Sequence, residues 1–453
     1  MNPWDNGLTG QATSIDAQQA SACLASVLER QGKEKPLSRF RRYEILDRAR
    51  TLLAESAETF ARLICAESGL CIRETRYEVG RAQDVLKFAA IATMQDDSET
   101  FACDISASEE SRRIHTFRKP LSIAFAITPF NHPLNQVVHK VAPAIAAGTP
   151  MLLKPSEKTP LSAIRFCELL YEAGLPAWML SVFLAPIESV VEPLIRDERI
   201  PLVTFTGGTR VGKRIAGIAG YKKLCLELGG NAPLIVLPDA DLDLAVQLAC
   251  EGNFRNAGQR CTAVKRTLVH RTIHDAFVER FVEHAKTYVC GDPSDEMTRV
   301  GTVIDEDAAI ALESRIHSAE ADGARVLLGG VRRGALLEPT VLVDVPRDTE
   351  MVASESFGPV APVLRIDDLD DAIAYANASP FGLSSAVVTN DLAAAMQCVR
   401  EIDSGTTNVN QVPGYRIEYS PFGGVRDSGL GIKEGVAESI KFMTSVKTYS
   451  LPW

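Results

Sequence analysis

The chain has 453 residues, a formal net charge of −10, 46% apolar residues and 23% charged ones, the profile of a folded protein with enough apolar mass for a large core in more than one domain. The acidic balance, with no long Lys/Arg stripe beyond the short run Arg39 to Arg42, excludes a nucleic-acid partner. Ten scattered cysteines without a CxxC pair exclude a disulfide scaffold and a four-thiolate zinc site. The apolar stretch Leu121 to Val138 is broken by Pro129, Asn131, His132, Pro133 and Asn135 and does not read as a membrane span. Met1 to Gly10 lacks the basic and apolar parts of a signal peptide. The expectation is a soluble cytoplasmic protein with no membrane partner.

In chain order, apolar residues recur at helical spacing from Leu37 to Ser68, so the first ~100 residues read as mainly helical. Short β-type runs follow at Leu121–Ile127, Pro150–Leu153, Leu180–Leu184, Leu202–Phe205 and Leu224–Leu228, with helices beginning near His132, Pro160, Glu188 and Thr209. This alternation predicts a parallel sheet covered by helices. A second alternating stretch has strands at Leu234–Leu237, Thr267–Val269, Val341–Val343, Val360–Arg365 and Ala386–Val388. The polar segment Phe101 to Phe117 and the tail Ser445 to Trp453 fit neither sheet and are expected to pair as an outlying β-arm. No internal repeat is visible. His270 and His274 would share a helix face only if both were helical, and no HExxH pattern accompanies them, so no metal site is expected.

Four motifs can carry chemistry. Asn256-Ala-Gly-Gln-Arg-Cys-Thr262 follows a helical run, Leu242 to Phe254, and places a thiol just past Gly258, where the backbone can turn tightly. Leu226-Glu-Leu-Gly-Gly-Asn231 sets the carboxylate of Glu227 between two leucines; burial there raises its pKa, as suits a general base that activates water near neutral pH. Asn131 offers a side-chain amide to an oxyanion, a donor whose removal typically costs ~10²–10³ in rate, and it can also cap the following helix. Phe205-Thr-Gly-Gly-Thr-Arg-Val-Gly212 joins a predicted strand to a predicted helix and offers backbone N–H groups to a pyrophosphate. The last motif approaches a Walker A pattern, but Arg214 replaces the hydroxyl that would bind Mg²⁺. Thiol and carboxylate together suit a thiohemiacetal, then a thioester, then hydrolysis.

In this order the residues resemble the aldehyde dehydrogenase superfamily over essentially the whole chain. The matching stretches are Ile127-Thr-Pro-Phe-Asn131, Lys154-Pro-Ser-Glu157, Phe205 to Gly212, Glu227-Leu-Gly-Gly-Asn231, Gly258-Gln-Arg-Cys261, Leu337-Glu-Pro-Thr340, Glu355-Ser-Phe-Gly-Pro-Val360 and Pro421-Phe-Gly-Gly-Val425. The resemblance implies an aldehyde dehydrogenase-like α/β fold of two doubly wound domains plus a small β oligomerisation arm. It implies a discontinuous NAD-binding domain (residues 1–101 and 121–228), a catalytic domain (229–425) and an arm (102–120 and 440–453) that builds a homodimer or a dimer of dimers. By position, Cys261 resembles the nucleophile, Glu227 the general base and Asn131 the oxyanion donor. Thr128, Pro129, Lys154, Ser156, Glu157, Gly207, Gly212, Leu228, Gly229, Glu355 and Phe357 are the implied cofactor residues. Glu157 would repel a 2′-phosphate, which favours NAD over NADP. Phe130 stands where many members carry Trp, a swap that keeps an aromatic wall.

The substrate expectation rests on cations beside the thiol. Arg260 precedes Cys261, His132 follows Asn131, and Arg81 lies on the helical segment Glu78 to Ala90. Arginine's planar fork suits phosphate or phosphonate oxygens. With Thr262, these residues are the expected substrate site for a small anionic aldehyde. Arg81, Phe130-Asn-His-Pro133, Gln136 to Lys140, Gly258 to Arg266 and Gly414-Tyr-Arg416 are most similar to the phosphonoacetaldehyde dehydrogenases. Non-phosphorylating glyceraldehyde-3-phosphate, lactaldehyde and succinate semialdehyde dehydrogenases are the alternatives.

Overall fold

A computed structural model describes residues 1–107 and 111–452; the parts of the expected arm at 108–110 and 453 lie outside the described residues. Four helices open the chain: Ala17–Lys33, Arg39–Glu55, Ala57–Ser68 and Ile72–Thr93. The first is fixed by a capping box in which Asp16 accepts from Gln19 N and the Gln19 side chain accepts from Asp16 N. The helix Ala57–Ser68 stops at Gly69, which has a left-handed φ of 72°.

A five-stranded parallel sheet follows, in the spatial order Leu180–Val182, Met151–Lys154, Ala124–Ile127, Leu202–Thr206 and Lys223–Glu227. The chain winds outward from Ala124–Ile127 to one side, then crosses over and winds to the other. The carboxyl ends beside that reversal form the crevice in which open α/β sheets bind ligands. Its central strands are buried on both faces, which explains the unbroken apolar runs in their sequence.

The second sheet has seven strands, in the order Arg325–Leu328, Thr340–Val343, Val360–Ile366, Val264–His270, Ala232–Val236, Ser384–Val388 and Thr406–Val409. All neighbours are parallel except the first pair. Its core stacks Phe254 and Phe277 on Phe281, at ring-centroid distances of 6.0 and 5.5 Å. A third sheet joins Thr100–Ala102, Arg112–Pro120 and Thr444–Pro452 in antiparallel register. Past the second sheet the chain returns to the first unit, where the helix Val436–Phe442 packs on the helix Asn135–Ala147.

Several local readings shift. The strand expected from Leu121 begins at Ala124, because Arg112–Pro120 already belongs to the arm. The helix expected near Glu188 is a π-turn, Ile187–Val191, running into Glu192–Arg196. His270 ends a strand and His274 opens the next helix, so they share no helix face. The edge strands Arg325–Leu328 and Thr406–Val409 are additional; half-exposed, they lack the continuous apolar run of a central strand.

Candidate active site

A cavity of about 480 Å³ lies at the carboxyl ends of the five-stranded sheet. Thr128, Pro129, Lys154, Ser156, Glu157, Gly207, Leu228, Gly229, Glu355 and Phe357 all line it. The helix Thr209–Ile218 starts on its wall at Gly208 with no side-chain cap among the described residues, so its first N–H groups remain available to an anion. A Cβ on Gly229 would stand 2.5 Å from Glu355 Oε2, so glycine keeps this wall open. An elongated mononucleotide or dinucleotide fits these features: a helix N-terminus for phosphate, and buried Lys154 with half-exposed Glu157 for sugar hydroxyls. Lys154 Nζ donates to Glu157 Oε2 at 2.6 Å. Burial raises the Glu157 pKa, but the Lys154 hydrogen bond, a backbone hydrogen bond and the charges of Lys154 and Lys158 together outweigh it, leaving the carboxyl below its ordinary value. Gly212 is not on the cavity wall. A Cβ there would meet Leu228 Cδ2 at 2.3 Å, so this glycine serves close packing of helix against strand end.

The thiol is delivered by an unusual turn. The helix Leu242–Phe254 ends in Arg255–Gly258, where Asn256, Ala257 and Gly258 all have left-handed φ values of 59°, 50° and 67°. Asn256 Nδ2 donates to Asn131 O at 3.0 Å, and Asn131 Nδ2 donates to Gln259 O at 2.8 Å. These bonds tie the Asn131 loop to the thiol loop and leave the second amide proton of Asn131 uncommitted. Cys261 lines the 480 Å³ cavity and also a second one, of about 240 Å³. Asn131 and Gln136 are likewise shared walls. Burial, with Glu355 and Glu227 nearby, pushes the Cys261 thiol up to about 12, while Arg416 and Arg260 draw it down.

Glu227 ends the strand Lys223–Glu227, is buried, and has neither carboxylate oxygen hydrogen-bonded. Burial first, and the charge of Glu434 second, hold its pKa well above the carboxylate range. It is therefore no salt-bridged strand terminus. A Cβ on Gly423 would come within 2.7 Å of Glu227 Oε1, which explains a glycine in Pro421-Phe-Gly-Gly-Val425. Behind it, Lys140 Nζ donates to Glu434 Oε1 at 2.7 Å and to Thr204 Oγ1 at 2.9 Å. Sequence reasoning assigned no role to that pair. The signal for Lys140 was a lysine inside the apolar helix Asn135–Ala147; Glu434 gave none.

Arg81, His132, Arg260 and Thr262 line the 240 Å³ cavity together with Arg416. They are not equivalent. Arg81 Nε is spent on Glu418, which also bonds His139 Nε2 at 2.5 Å. Arg260 Nη2 donates to Glu251 O and Gly252 O at 2.8 and 2.9 Å, turning the guanidinium toward the helix end. His132 Nδ1 faces Glu78 Oε2 at 3.5 Å. Arg416 has no hydrogen-bond partner among the described residues; it stacks over Phe422 at 4.0 Å and lies 3.9 Å from Glu418 Oε2. In the sequence Arg416 stands out only as the end of Gly414-Tyr-Arg416, with no role of its own. Among the described residues, no cluster of His, Cys, Asp and Glu is arranged to hold a metal ion, and no helix is long and apolar enough to cross a membrane.

Comparison with known proteins gives the family. The profile of the aldehyde dehydrogenase family matches residues 1–449. A 3-sulfolactaldehyde dehydrogenase from Priestia aryabhattai is 39% identical over 96% of this chain and 90% of its own. A sulfoacetaldehyde dehydrogenase from Neptuniibacter caesariensis is 37% identical over 99% of this chain and 98% of its own. The crystal structure of a glyceraldehyde-3-phosphate dehydrogenase from Methanocaldococcus jannaschii, complexed with NADP, superposes with a TM-score of 0.96 at 34% identity, covering 100% of this chain and 98% of that one. With its two α/β units, its cofactor-sized crevice and a match over nearly all of its length, the chain belongs to the aldehyde dehydrogenase family and is an NAD(P)-dependent aldehyde dehydrogenase.

Proposed function

We propose that the chain oxidises a short aldehyde bearing a tetrahedral oxyanion, a sulfonate or phosphonate, to the carboxylic acid. The observation that carries this reading is the placement of Cys261 as a shared wall between the larger crevice and a smaller cavity ringed by Arg81, Arg260, Arg416 and His132. NAD(P), held by the helix N-terminus at Gly208 with Lys154 and Glu157, would supply the hydride acceptor. The Cys261 thiol loses its proton to solvent as the sulfur adds to the carbonyl carbon, and the Asn131 amide with the Cys261 N–H stabilises the oxyanion. Hydride loss leaves a thioester on Cys261. Glu227 then takes a proton from water as the water attacks that thioester, releasing the acid and restoring the thiol. Its raised pKa suits a group that must hold and release that proton near neutral pH.

The anion is read from unspent donors. Arg416 keeps 12% of its side chain exposed on the wall of the smaller cavity and its guanidinium free of hydrogen bonds beside the thiol, and a charge-assisted contact to an anion would satisfy it. The sulfonated aldehydes in the relatives' names favour a sulfonate; phosphonoacetaldehyde offers the same tetrahedral geometry. Reduction of NAD and of NADP by sulfoacetaldehyde, 3-sulfolactaldehyde, phosphonoacetaldehyde, glyceraldehyde 3-phosphate, succinate semialdehyde and propionaldehyde decides among them. A charge-assisted hydrogen bond contributes about 1.5–3 kcal/mol, so Arg416→Met raises KM for the preferred anionic aldehyde roughly tenfold or more and leaves propionaldehyde nearly unchanged. Equal losses on charged and neutral substrates would remove the anion pocket and leave the family assignment standing.

A further inference from the structure

Lys265 is the second residue of the strand Val264–His270, four residues past the thiol, and it is fully buried. Its hydrogen-bond partners among the described residues are two backbone carbonyls, Gly258 O at 2.7 Å and Gly358 O at 3.5 Å. A buried ammonium with no carboxylate bonded to it is costly, and an apolar side chain would fill the same space without that cost. Its retention calls for a use.

The two carbonyls belong to different loops. Gly258 ends the left-handed turn that delivers Cys261, and Gly358 follows the cofactor-cavity residues Glu355 and Phe357. The loops touch here: a Cβ on Gly258 would lie 1.9 Å from Gly358 O. Phe357 itself has a left-handed φ of 51° and meets Phe130 edge to face at 5.8 Å. A non-glycine residue held in that conformation needs its surroundings fixed.

Resting on the reading of Cys261 as nucleophile, we propose that Lys265 is a positioning residue of the dehydrogenase: its ammonium clamps the nucleophile turn to the Glu355–Phe357 loop and supports ionisation of the thiol. The charged and titratable groups facing it are Glu355, Arg260 and Cys261. Burial draws the lysine down to about 7, and the charge of Glu355 pulls the other way, toward the ammonium. A positive charge there favours the Cys261 thiolate, and a one-unit shift in the thiol is a tenfold change in thiolate at fixed pH.

The test is Lys265→Met, measured by the pH dependence of iodoacetamide alkylation of the cofactor-free enzyme, by KM for NAD(P) against KM for the aldehyde, and by Tm. Expected are about tenfold slower alkylation of Cys261 at pH 7, an alkylation profile displaced to higher pH, a raised KM for NAD(P) with the aldehyde KM little changed, and no fall in Tm. A lower Tm with an unchanged alkylation profile would make Lys265 a packing staple and overturn the proposal. If the Met variant does not fold, Lys265→Gln, neutral but still a donor, carries the same alkylation test, and an unshifted profile again overturns it. Peptide mapping of the alkylated wild type separates the two readings: label absent from Cys261 defeats the nucleophile assignment, whatever Lys265 does.

Discussion

Glu227 carries opposite demands in one side chain. Burial and the charge of Glu434 favour its neutral form, with Lys140 and Arg416 pulling the other way, yet its proposed role needs the anion. Because its folded pKa lies above the unfolded value, the native state binds the extra proton. Stability is therefore full below the ordinary carboxylate pKa and falls as pH rises toward the folded value, by up to about 1.4 kcal/mol per pH unit. Glu227→Gln removes that loss. The variant should have a Tm above wild type at pH 8, with the gap narrowing toward pH 5. In rapid-mixing experiments it should release one equivalent of NAD(P)H per site and then stall, because the thioester forms and is not hydrolysed. Steady turnover in the Gln variant would remove Glu227 from the hydrolytic step.

At the level of elements, the decisive piece is the join between the helix Leu242–Phe254 and the strand Val264–His270. The helix has the bounds read from the sequence, Leu242 to Phe254, and the structure adds its cap, Asp241, whose side chain accepts from Asp243 N and Leu244 N. The tight turn at Gly258 was expected, but not its form. Nothing in Asn256-Ala-Gly announces three successive left-handed residues, because an alanine there is paid for only by tertiary bonds such as Asn256 Nδ2 to Asn131 O. Gly258→Ala tests the turn. The substitution puts a Cβ 1.9 Å from Gly358 O at a φ of 67°; left-handed backbone alone costs an L-residue roughly 1–2 kcal/mol. Both loops must then shift. A displacement of about 1 Å at the reacting atoms can lower kcat/KM by ~10²-fold, well beyond the effect on the urea midpoint. Unimpaired activity would show that the turn is not needed to place the thiol.

For the whole molecule, the arm sheet is the outlying feature. Thr444–Pro452 pairs along the full length of Arg112–Pro120, and the two strands together present Ile114, Phe117, Val446, Tyr449 and Leu451 as exposed apolar side chains. We propose that a second copy of this chain covers them, as the family resemblance implied. Deleting residues 444–453 opens the edge of Arg112–Pro120. The expected result is loss of the dimer or larger assembly in light scattering, with smaller particles or aggregates in its place. An assembly of unchanged mass would move the interface elsewhere.

The sequence by itself determined the class of fold and the order of the parts. Local rules suffice for these: periodicity marks helices and strands, alternation marks a parallel sheet, and the buried strands Ala124–Ile127, Met151–Lys154 and Leu202–Thr206 show as apolar runs. It also pointed to Cys261, Glu227 and Asn131, less through any one of their motifs than through the order of eight motifs that resembles the aldehyde dehydrogenases. Only the tertiary structure decided how the cations divide their labour. Arg81 turns to Glu418, 337 residues away in sequence, Arg260 turns to its own helix end, and Arg416 is left with unspent donors. Lys140 with Glu434, and Lys265 between two loops, belong to the same class. Burial and partner choice are long-range properties, so a charged residue looks alike in sequence whether it is neutralised, tied to a carbonyl or kept for a ligand.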